Sequence, residues 1–205
     1  YRGATAICLD LDEVIAALRR ILENDIPKIG QNGNFDQLFL KHDLGIVVQN
    51  YVFDTMLAYH LFNEEEGHSL ETMCNLFTDM GDYGRAAAEY KTHMADCPLD
   101  TLWKYQGADA DCTLRVALVL DEMFDEHPKL RRLFEELTMP LSVATMHMEE
   151  RGVLVDRERA DKLVETYDEL VAVEKAKLYA LPDVPEQFNY RSHPQRKKLL
   201  FETFG

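Results

Sequence analysis

The chain has 205 residues, a formal net charge of −15 at pH 7 and a hydrophobic fraction of 46%. This apolar content is typical of a folded chain rather than a disordered one, and no apolar run approaches the ~20 residues of a membrane span. The negative charge argues against a general nucleic-acid coat, which carries a basic field. It does not exclude a nuclease whose own carboxylates hold Mg²⁺.

The cysteines and the first residue set two further expectations. The four cysteines contain no CxxC pair, which argues against a zinc site or a redox centre and favours a reducing cytoplasm. The chain starts with Tyr1 rather than Met, so we expect it to lie inside a longer polypeptide. We therefore expect a cytoplasmic protein without a membrane partner.

The N-terminal half alternates short apolar runs with helical patterns. Val14 begins a run of apolar residues at helical spacing, which predicts a helix that stops near Asn24. Short apolar runs predict strands at 26–30 and at 46–48, with an extension of the second strand to Asp54 as an alternative. A strand, a helix and a strand in this order predict a βαβ unit with a parallel strand pair. Further helices are predicted at 34–44, 55–62, 69–79, 84–94 and 109–125.

The stretch CLDLDEV, residues 8–14, looks like a strand that carries paired carboxylates. Asp10 and Glu13 have the spacing of a capping box, and Asp12 and Glu13 fall in a first helical turn, where acids complement the helix dipole. Metal binding is the alternative interpretation. We expect helix capping, because capping accounts for all three acids.

The C-terminal part is predicted to be helical. The stretch DEHPKL suggests a domain boundary between residues 126 and 127, and a long helical segment over 130–150 should be kinked at Pro140. Gly152 ends that segment, and Asp156 caps a helix that runs to about residue 179. Ser192 with Pro194 begins a last helix.

Two stretches contain candidate catalytic groups. In KIGQNGNFD, residues 28–36, a strand ends in a turn and Asp36 lies just inside the following helix. In YQGADADCT, Tyr105 precedes Asp109 by four residues, so a hydroxyl and a carboxylate share one helix face if Tyr105 lies on the first turn or its lead-in. Taken singly, each aspartate is more typical of helix capping, since Asp109 is predicted to open its helix.

Taken together, the two stretches resemble the second and third motifs of the DEDD exonucleases, in the branch with a tyrosine at the variable position. Three longer blocks are similar to successive segments of family A DNA polymerases, and they occur in the same order. They are FDTMLAYHLF (53–62), MPLSVATMHMEERGVLVD (139–156) and FNYRSHPQRKKLLFETFG (188–205). The resemblance extends over nearly the whole chain.

This resemblance implies an α/β, ribonuclease H-like exonuclease fold that is truncated at its N-terminal strands, so that the chain is predominantly helical, followed by a helical thumb base. Residues 1–126 correspond to a partial 3′-5′ exonuclease domain, and residues 127–205 to the junction with the polymerase and the beginning of the thumb. The palm and fingers, which carry nucleotide addition, are not part of the chain.

The same resemblance assigns the site. It makes Asp36 and Asp109 metal-binding carboxylates, with two Mg²⁺ or Mn²⁺ ions in the complete site, and it makes Tyr105 the group that orients the attacking water. Asn32 and Phe35 become contacts to the 3′-terminal nucleotide. The implied partners are a single-stranded 3′ end of DNA, a primer-template in the full-length enzyme, and the rest of the polymerase chain.

The first motif of the family, Asp-x-Glu on the opening strand, supplies two further acids. Only 26 residues separate Asp10 from Asp36, which is too few for the three strands and the helix that lie between the first two motifs. We therefore expect the two acids of the first motif to lie upstream of Tyr1. The chain alone is then predicted to neither polymerise DNA nor cleave it efficiently.

Two other functions are compatible with the resemblance. The chain could be a non-catalytic scaffold from a polymerase whose exonuclease has decayed, although Asp36, Tyr105 and Asp109 are all present. A ribonuclease D-like RNA exonuclease shares the tyrosine motif, but the thumb-like blocks argue against it.

Overall fold

A computed structural model describes residues 10–185 and 187–204. The described residues form two compact units, which divide after Gly152. None of the helices over residues 10–185 and 187–204 combines the length and the apolar character of a membrane span. The α-helices of the first unit are α1 (Leu11–Leu22), α2 (Gly33–Leu44), α3 (Thr55–Phe62), α4 (Leu70–Phe77), α5 (Leu99–Glu126), α6 (Pro128–Leu133) and α7 (Met139–Arg151).

The first unit contains a parallel pair of short strands, β1 (Lys28–Gly30) and β2 (Tyr51–Asp54). Helix α2 connects them, so the predicted βαβ unit and parallel pairing are confirmed. Gly30 pairs with Asp54, which brings the residues that follow both strands to the same edge of the pair.

The strand predicted at 46–48 is wrong, because the second strand begins only at Tyr51. The backbone N–H of Val47 donates to the carboxylate of Glu23 at 3.1 Å, and that of Gln49 donates to the carbonyl of Leu22 at 2.8 Å. These backbone N–H groups therefore bind residues at the end of α1 and are not available for pairing in a sheet. Asn50 then takes a positive φ of 55°, which turns the chain into β2.

The predicted helices at 34–44 and 55–62 are confirmed by α2 and α3, and the one at 69–79 by the slightly shorter α4. The helix predicted at 84–94 is instead a 3₁₀ helix over Tyr83–Tyr90. The helix predicted at 109–125 begins ten residues earlier, as part of the 28-residue α5. Asp109 therefore lies inside a helix, and its predicted helix-opening role is wrong.

Side-chain caps fix the starts of several helices. Asp10 caps α1 by accepting hydrogen bonds from the backbone N–H groups of Asp12, at 2.9 Å, and Glu13, at 3.3 Å. This confirms the capping interpretation of the described part of CLDLDEV, whereas residues 8 and 9 lie outside the described residues. Asp156 and Ser192 cap the helices predicted to follow them.

A π-helical turn over Phe134–Thr138 lies directly before α7, which contains Pro140, and the kink at Pro140 stays a prediction. The wider turn precedes the proline, which lacks a backbone donor. Phe134 points from this turn into the core, with ring centroids 5.0 Å from Phe53 and 5.1 Å from Phe124. These contacts pack the segment after residue 126 onto β2 and α5.

The second unit contains α8 (Arg157–Tyr179), α9 (His193–Lys198) and a π-helical turn over Leu199–Thr203. Val184, Phe188 and Leu199 form its small core. The compact units divide after Gly152, whereas the sequence places the nuclease-to-thumb boundary at residues 126 and 127. The difference arises because α6 and α7 pack within the first unit, and the assignment of residues 127–205 to a thumb base stays a prediction.

Candidate active site

One wall of the candidate site is the start of α2, which is held by the buried carboxylate of Asp54. Asp54 is 2% exposed and accepts hydrogen bonds from the backbone N–H groups of Asn32, at 3.1 Å, and Gly33, at 2.9 Å. It also caps α3 through the N–H groups of Met56 and Leu57, at 3.0 and 3.3 Å. One carboxylate therefore joins the first turns of two helices.

Tyr51 completes this joint. Its hydroxyl donates to the second Asp54 oxygen at 2.8 Å, and its ring covers Gly30 and Gly33. A Cβ at Gly30 would lie 2.8 Å from the Tyr51 hydroxyl, and one at Gly33 would come closer still. The glycines of the turn are therefore required by the close approach of the tyrosine, and this packing fixes the turn that precedes Asp36.

The neighbouring Gln31 side chain is held by hydrogen bonds at both ends of its amide. Its carbonyl oxygen accepts from the hydroxyl of the fully buried Thr55. Its amide nitrogen donates to the backbone carbonyl of His68 at 2.9 Å. Gln31 is thereby fixed at the edge of the site.

The opposite wall is the middle of α5, where Tyr105 and Asp109 are one helical turn apart on the same face. The 3₁₀ helix adds a second tyrosine, because the Tyr83 hydroxyl donates to Oδ1 of Asp109 at 2.7 Å. The Tyr83 and Tyr105 rings are stacked, with centroids 6.2 Å apart. Asp109 is thus oriented by Tyr83 and lies beside Tyr105.

A cleft of about 740 Å³ lies between these walls, and Asp36, Tyr105 and Asp109 all line it. The three predicted catalytic residues are brought together from two separate elements. Asn32 and Phe35 do not line the cleft. They lie in a neighbouring groove of about 560 Å³, where the Phe35 side chain is 69% exposed.

The protonation properties of the cleft follow from dehydration and from its own acids. Partial burial raises the pKa of Asp36 above its ordinary value of 3.8, and the nearby Asp54 adds to this rise. Burial and the Asp109 carboxylate raise the pKa of the Tyr105 phenol. The same two causes raise the pKa of the Tyr83 phenol. Both tyrosines are therefore neutral hydrogen-bond donors near pH 7.

The donor set agrees in kind with a hard divalent cation. Asp36 and Asp109 supply carboxylate oxygens, the ligands that Mg²⁺ and Mn²⁺ prefer. Over residues 10–185 and 187–204, however, no three His, Cys, Asp or Glu side chains are grouped closely enough to hold a metal ion. Asp36 and Asp109 are therefore the carboxylates of this cleft that the predicted cation site would use, and that site stays a prediction.

Sequence reasoning misses three residues of this region. It treats Asp54 only as the end of a strand, although an aspartate directly before an apolar helix is a cap signal. Gln31 has a weaker signal, which is its position directly after a strand that ends at the site. Tyr83 has no comparable signal, because it lies 26 residues before Asp109 and meets it only through the tertiary fold.

Known proteins with similar sequences are DNA polymerases. The DNA polymerase I of Synechocystis sp. (strain ATCC 27184 / PCC 6803 / Kazusa) is 33% identical over 96% of this chain and 20% of its own length. The DNA polymerase of Escherichia phage T5 is 28% identical over the whole chain and 27% of its own length. The DNA polymerase I of Borreliella burgdorferi is 27% identical over 97% of the chain and 22% of its own length.

The chain thus spans roughly a fifth to a quarter of the length of these relatives. The sequence model of the 3′-5′ exonuclease of family A DNA polymerases matches residues 4–125, which include both walls of the cleft. The chain therefore belongs to the 3′-5′ exonuclease family of the family A DNA polymerases.

Proposed function

We propose that this chain is the proofreading region of a DNA-directed DNA polymerase and contributes to hydrolysis of the 3′-terminal phosphodiester of DNA. The observation that carries the proposal is that Asp36, Tyr105 and Asp109 line one cleft although they come from α2 and α5. These are the side chains that the motifs of the tyrosine-type DEDD exonucleases assign to catalysis.

The proposed cofactor is a pair of Mg²⁺ or Mn²⁺ ions, which when bound stabilise the charge on the attacking and leaving oxygens of a phosphoryl transfer. Asp36 and Asp109 are the residues of this chain that would hold them. The remaining ligands are proposed to come from the acids of the first motif, upstream of Tyr1. The chain alone is then a weak cation binder and an inefficient nuclease.

The protein groups have separate roles in this proposal. Tyr105 stays a neutral phenol near pH 7. Its hydroxyl forms one hydrogen bond with the attacking water and so fixes the direction of attack. Tyr83 donates a hydrogen bond to Oδ1 of Asp109 and so orients that carboxylate. Asn32 and Phe35 contact the terminal nucleotide from the neighbouring groove, where the exposed Phe35 ring offers a stacking surface.

The same proposal covers the rest of the chain. The ribonuclease H-like description applies to the region that contains the βαβ unit, and residues 127–205 are proposed to lead into the thumb. The complete protein would act on a single-stranded 3′ end and on a primer-template. The presence of all three side chains at one cleft favours a catalytic region over a scaffold derived from a decayed nuclease.

The test is removal of a mismatched 3′ nucleotide by the longer polypeptide that includes the upstream acids. We expect Mg²⁺-dependent excision, and Asp109→Ala should lower its rate by several orders of magnitude because a carboxylate ligand is lost. Asp111→Ala is the matched control, since Asp111 lies two residues away and forms an ion pair with Arg115. Excision that is absent, or unchanged by Asp109→Ala, would refute the proposal.

For the 205-residue chain alone, isothermal calorimetry should detect weak or no binding of Mg²⁺. A tight isotherm would show that the described acids suffice for a cation site and that the upstream acids are not required.

A further inference from the structure

The charges around the cleft are strongly one-sided. Among the described residues that line it, the acids are Asp36, Glu71, Asp82 and Asp109, whereas Lys91 is the one basic side chain. The proposed substrate is a polyanion, and every phosphate that approaches this cleft meets four carboxylates. Bound cations would offset the charge near Asp36 and Asp109, but the phosphates farther along the strand need a partner from the protein.

Lys91 is held at the cleft wall by a single ion pair. It follows the 3₁₀ helix that packs against α5, and its Nζ lies 3.1 Å from Oε2 of Glu71 on α4. Within residues 10–185 and 187–204, Glu71 is the only hydrogen-bond partner of this ammonium group. An ammonium group has three donors, so two remain for a ligand.

The position of the ammonium relative to the reacting centre is also constrained. The charge of Lys91 acts on the Tyr105 phenol, where it opposes the rise in the Tyr105 pKa caused by burial and by Asp109. Lys91 and Tyr105, the tyrosine that is proposed to orient the attacking water, both line this cleft. Its side chain is 49% exposed, so a ligand in the cleft has access to it.

The simpler alternative is that the ion pair only stabilises the fold. Ion pairs between two half-exposed side chains contribute little to stability, because solvent screens them and two long side chains lose freedom. A stabilising role also gives no reason for this lysine to lie at the surface of the cleft.

We propose that Lys91 contacts a phosphate of the DNA strand next to the phosphodiester that is hydrolysed. The inference rests on the proposed exonuclease function and adds a substrate-binding residue to it. Glu71 holds the lysine in place before the strand arrives, and the two remaining donors of the ammonium group then bind phosphate oxygens. The contact is to the backbone, so it is independent of base sequence.

The binding test uses the 205-residue chain and a fluorescent single-stranded oligonucleotide, without divalent cations, by anisotropy at several salt concentrations. Lys91→Met keeps the aliphatic stem and removes the charge. We expect it to weaken binding about 3- to 10-fold and to reduce the slope of log K against log salt by about 0.7, the value for one phosphate contact on a single strand. Lys91→Arg should restore both.

Two further variants separate this role from a structural one. Lys104→Met removes a lysine that does not line the cleft and should leave affinity and salt slope unchanged. In a Glu71→Gln background, Lys91→Met should still reduce the salt slope, because the contact is to DNA and not only to Glu71. An unchanged slope in Lys91→Met, an equal effect of Lys104→Met, or loss of the effect in the Glu71→Gln background would each overturn the inference.

The outcome is distinguishable from failure of the exonuclease proposal. In the longer polypeptide, Lys91→Met should raise the KM for a single-stranded substrate about 3- to 10-fold with little change in kcat, whereas Asp109→Ala should lower kcat. If Asp109→Ala abolishes excision but Lys91→Met changes neither KM nor the salt slope, only the inference on Lys91 fails. If Asp109→Ala leaves excision intact, the exonuclease proposal fails by itself.

Discussion

The two walls of the candidate site each have a carboxylate that contacts neighbouring elements: Asp54 beside the start of α2, and Asp109 in the middle of α5. The protein surrounds these two carboxylates with different numbers of hydrogen-bond donors. Asp54 is buried and accepts five hydrogen bonds from the protein. Asp109 borders the cleft, and its carboxylate accepts a hydrogen bond from Tyr83. Donors of the protein itself occupy the oxygens of Asp54, whereas the oxygens of Asp109 can still bind a ligand.

This difference separates a structural carboxylate from an available one within the same site. Both residues follow patterns that suggest helix capping, and only one of them is a cap. The number of protein donors around each carboxylate therefore distinguishes them better than their spacing in the sequence does. Variants that remove either carboxylate should reveal the difference in stability.

The largest expected effect is that of Asp54→Ala on the stability of the chain. We expect a loss of about 3 kcal/mol or more, because each buried donor left without an acceptor costs about 1–3 kcal/mol. Urea unfolding followed by circular dichroism measures this change. Asp109→Ala should change the unfolding free energy by less than about 1 kcal/mol, since the Tyr83 phenol that loses its partner can be hydrated from the cleft.

Asp10→Ala provides the matched control for Asp54→Ala, because Asp10 is an exposed cap with two backbone donors. It should cost about 1 kcal/mol, the usual value for an N-cap. Equal losses for Asp10→Ala and Asp54→Ala would show that Asp54 is an ordinary cap and that the joint between α2 and α3 has no special role.

A smaller effect is expected from the two tyrosines that donate to these carboxylates. Tyr51→Phe removes a hydrogen bond to the buried Asp54 and should cost about 1.5–3 kcal/mol, because the acceptor is charged and water cannot replace the phenol. Tyr83→Phe should cost less than about 1 kcal/mol, since water in the cleft can hydrate Asp109. The same unfolding measurements compare the two variants.

In the longer polypeptide, Tyr83→Phe should lower the excision rate more than Tyr51→Phe does, which is the reverse of their order in stability. Tyr83→Phe should lower the excision rate roughly tenfold through the loss of one charge-assisted hydrogen bond to Asp109. A Tyr83→Phe variant that is strongly destabilised but fully active would contradict the distinction between the two walls.

Much of the scaffold is predictable from local patterns, whereas the second wall of the site is not. The turn before Asp36, the βαβ connection and the caps at Asp10 and Asp156 follow from short-range spacing. The sequence pattern places the start of α5 too late, because an acid such as Asp109 is typical of a first helical turn. Gly107 lies inside the helix, where a Cβ would meet nothing within 4 Å and the tertiary contacts of α5 outweigh the low helix propensity of glycine.

The resemblance to DEDD exonucleases identifies Asp36, Tyr105 and Asp109 from their motifs, and the structure adds that all three line one cleft. Their catalytic roles stay predictions. The contacts of Tyr83 with Asp109 and of Lys91 with Glu71 join residues 20 or more positions apart, so no periodicity in the sequence indicates them.

The smallest expected effect is the pH dependence that Asp36 adds to stability. Its pKa is raised above the ordinary value of 3.8, so the folded chain binds more protons than the unfolded chain between these two values. The Asp36 carboxylate should therefore destabilise the fold above this window and have no such effect below pH 3.8. Asp36→Asn should raise the melting temperature slightly at pH 7, with the difference disappearing as the pH falls through the window.

A stabilising Asp36→Asn variant would have a direct implication for the comparison of the site's carboxylates. Removal of Asp54 weakens the fold because the protein surrounds that carboxylate with donors. Asp36→Asn would strengthen the fold, because burial partly dehydrates the Asp36 charge and the protein supplies too few compensating donors. Such a cost in stability is typical of functional groups that bind a ligand. A lower melting temperature for Asp36→Asn at pH 7 would instead place Asp36 with Asp54, as a carboxylate that the fold itself requires.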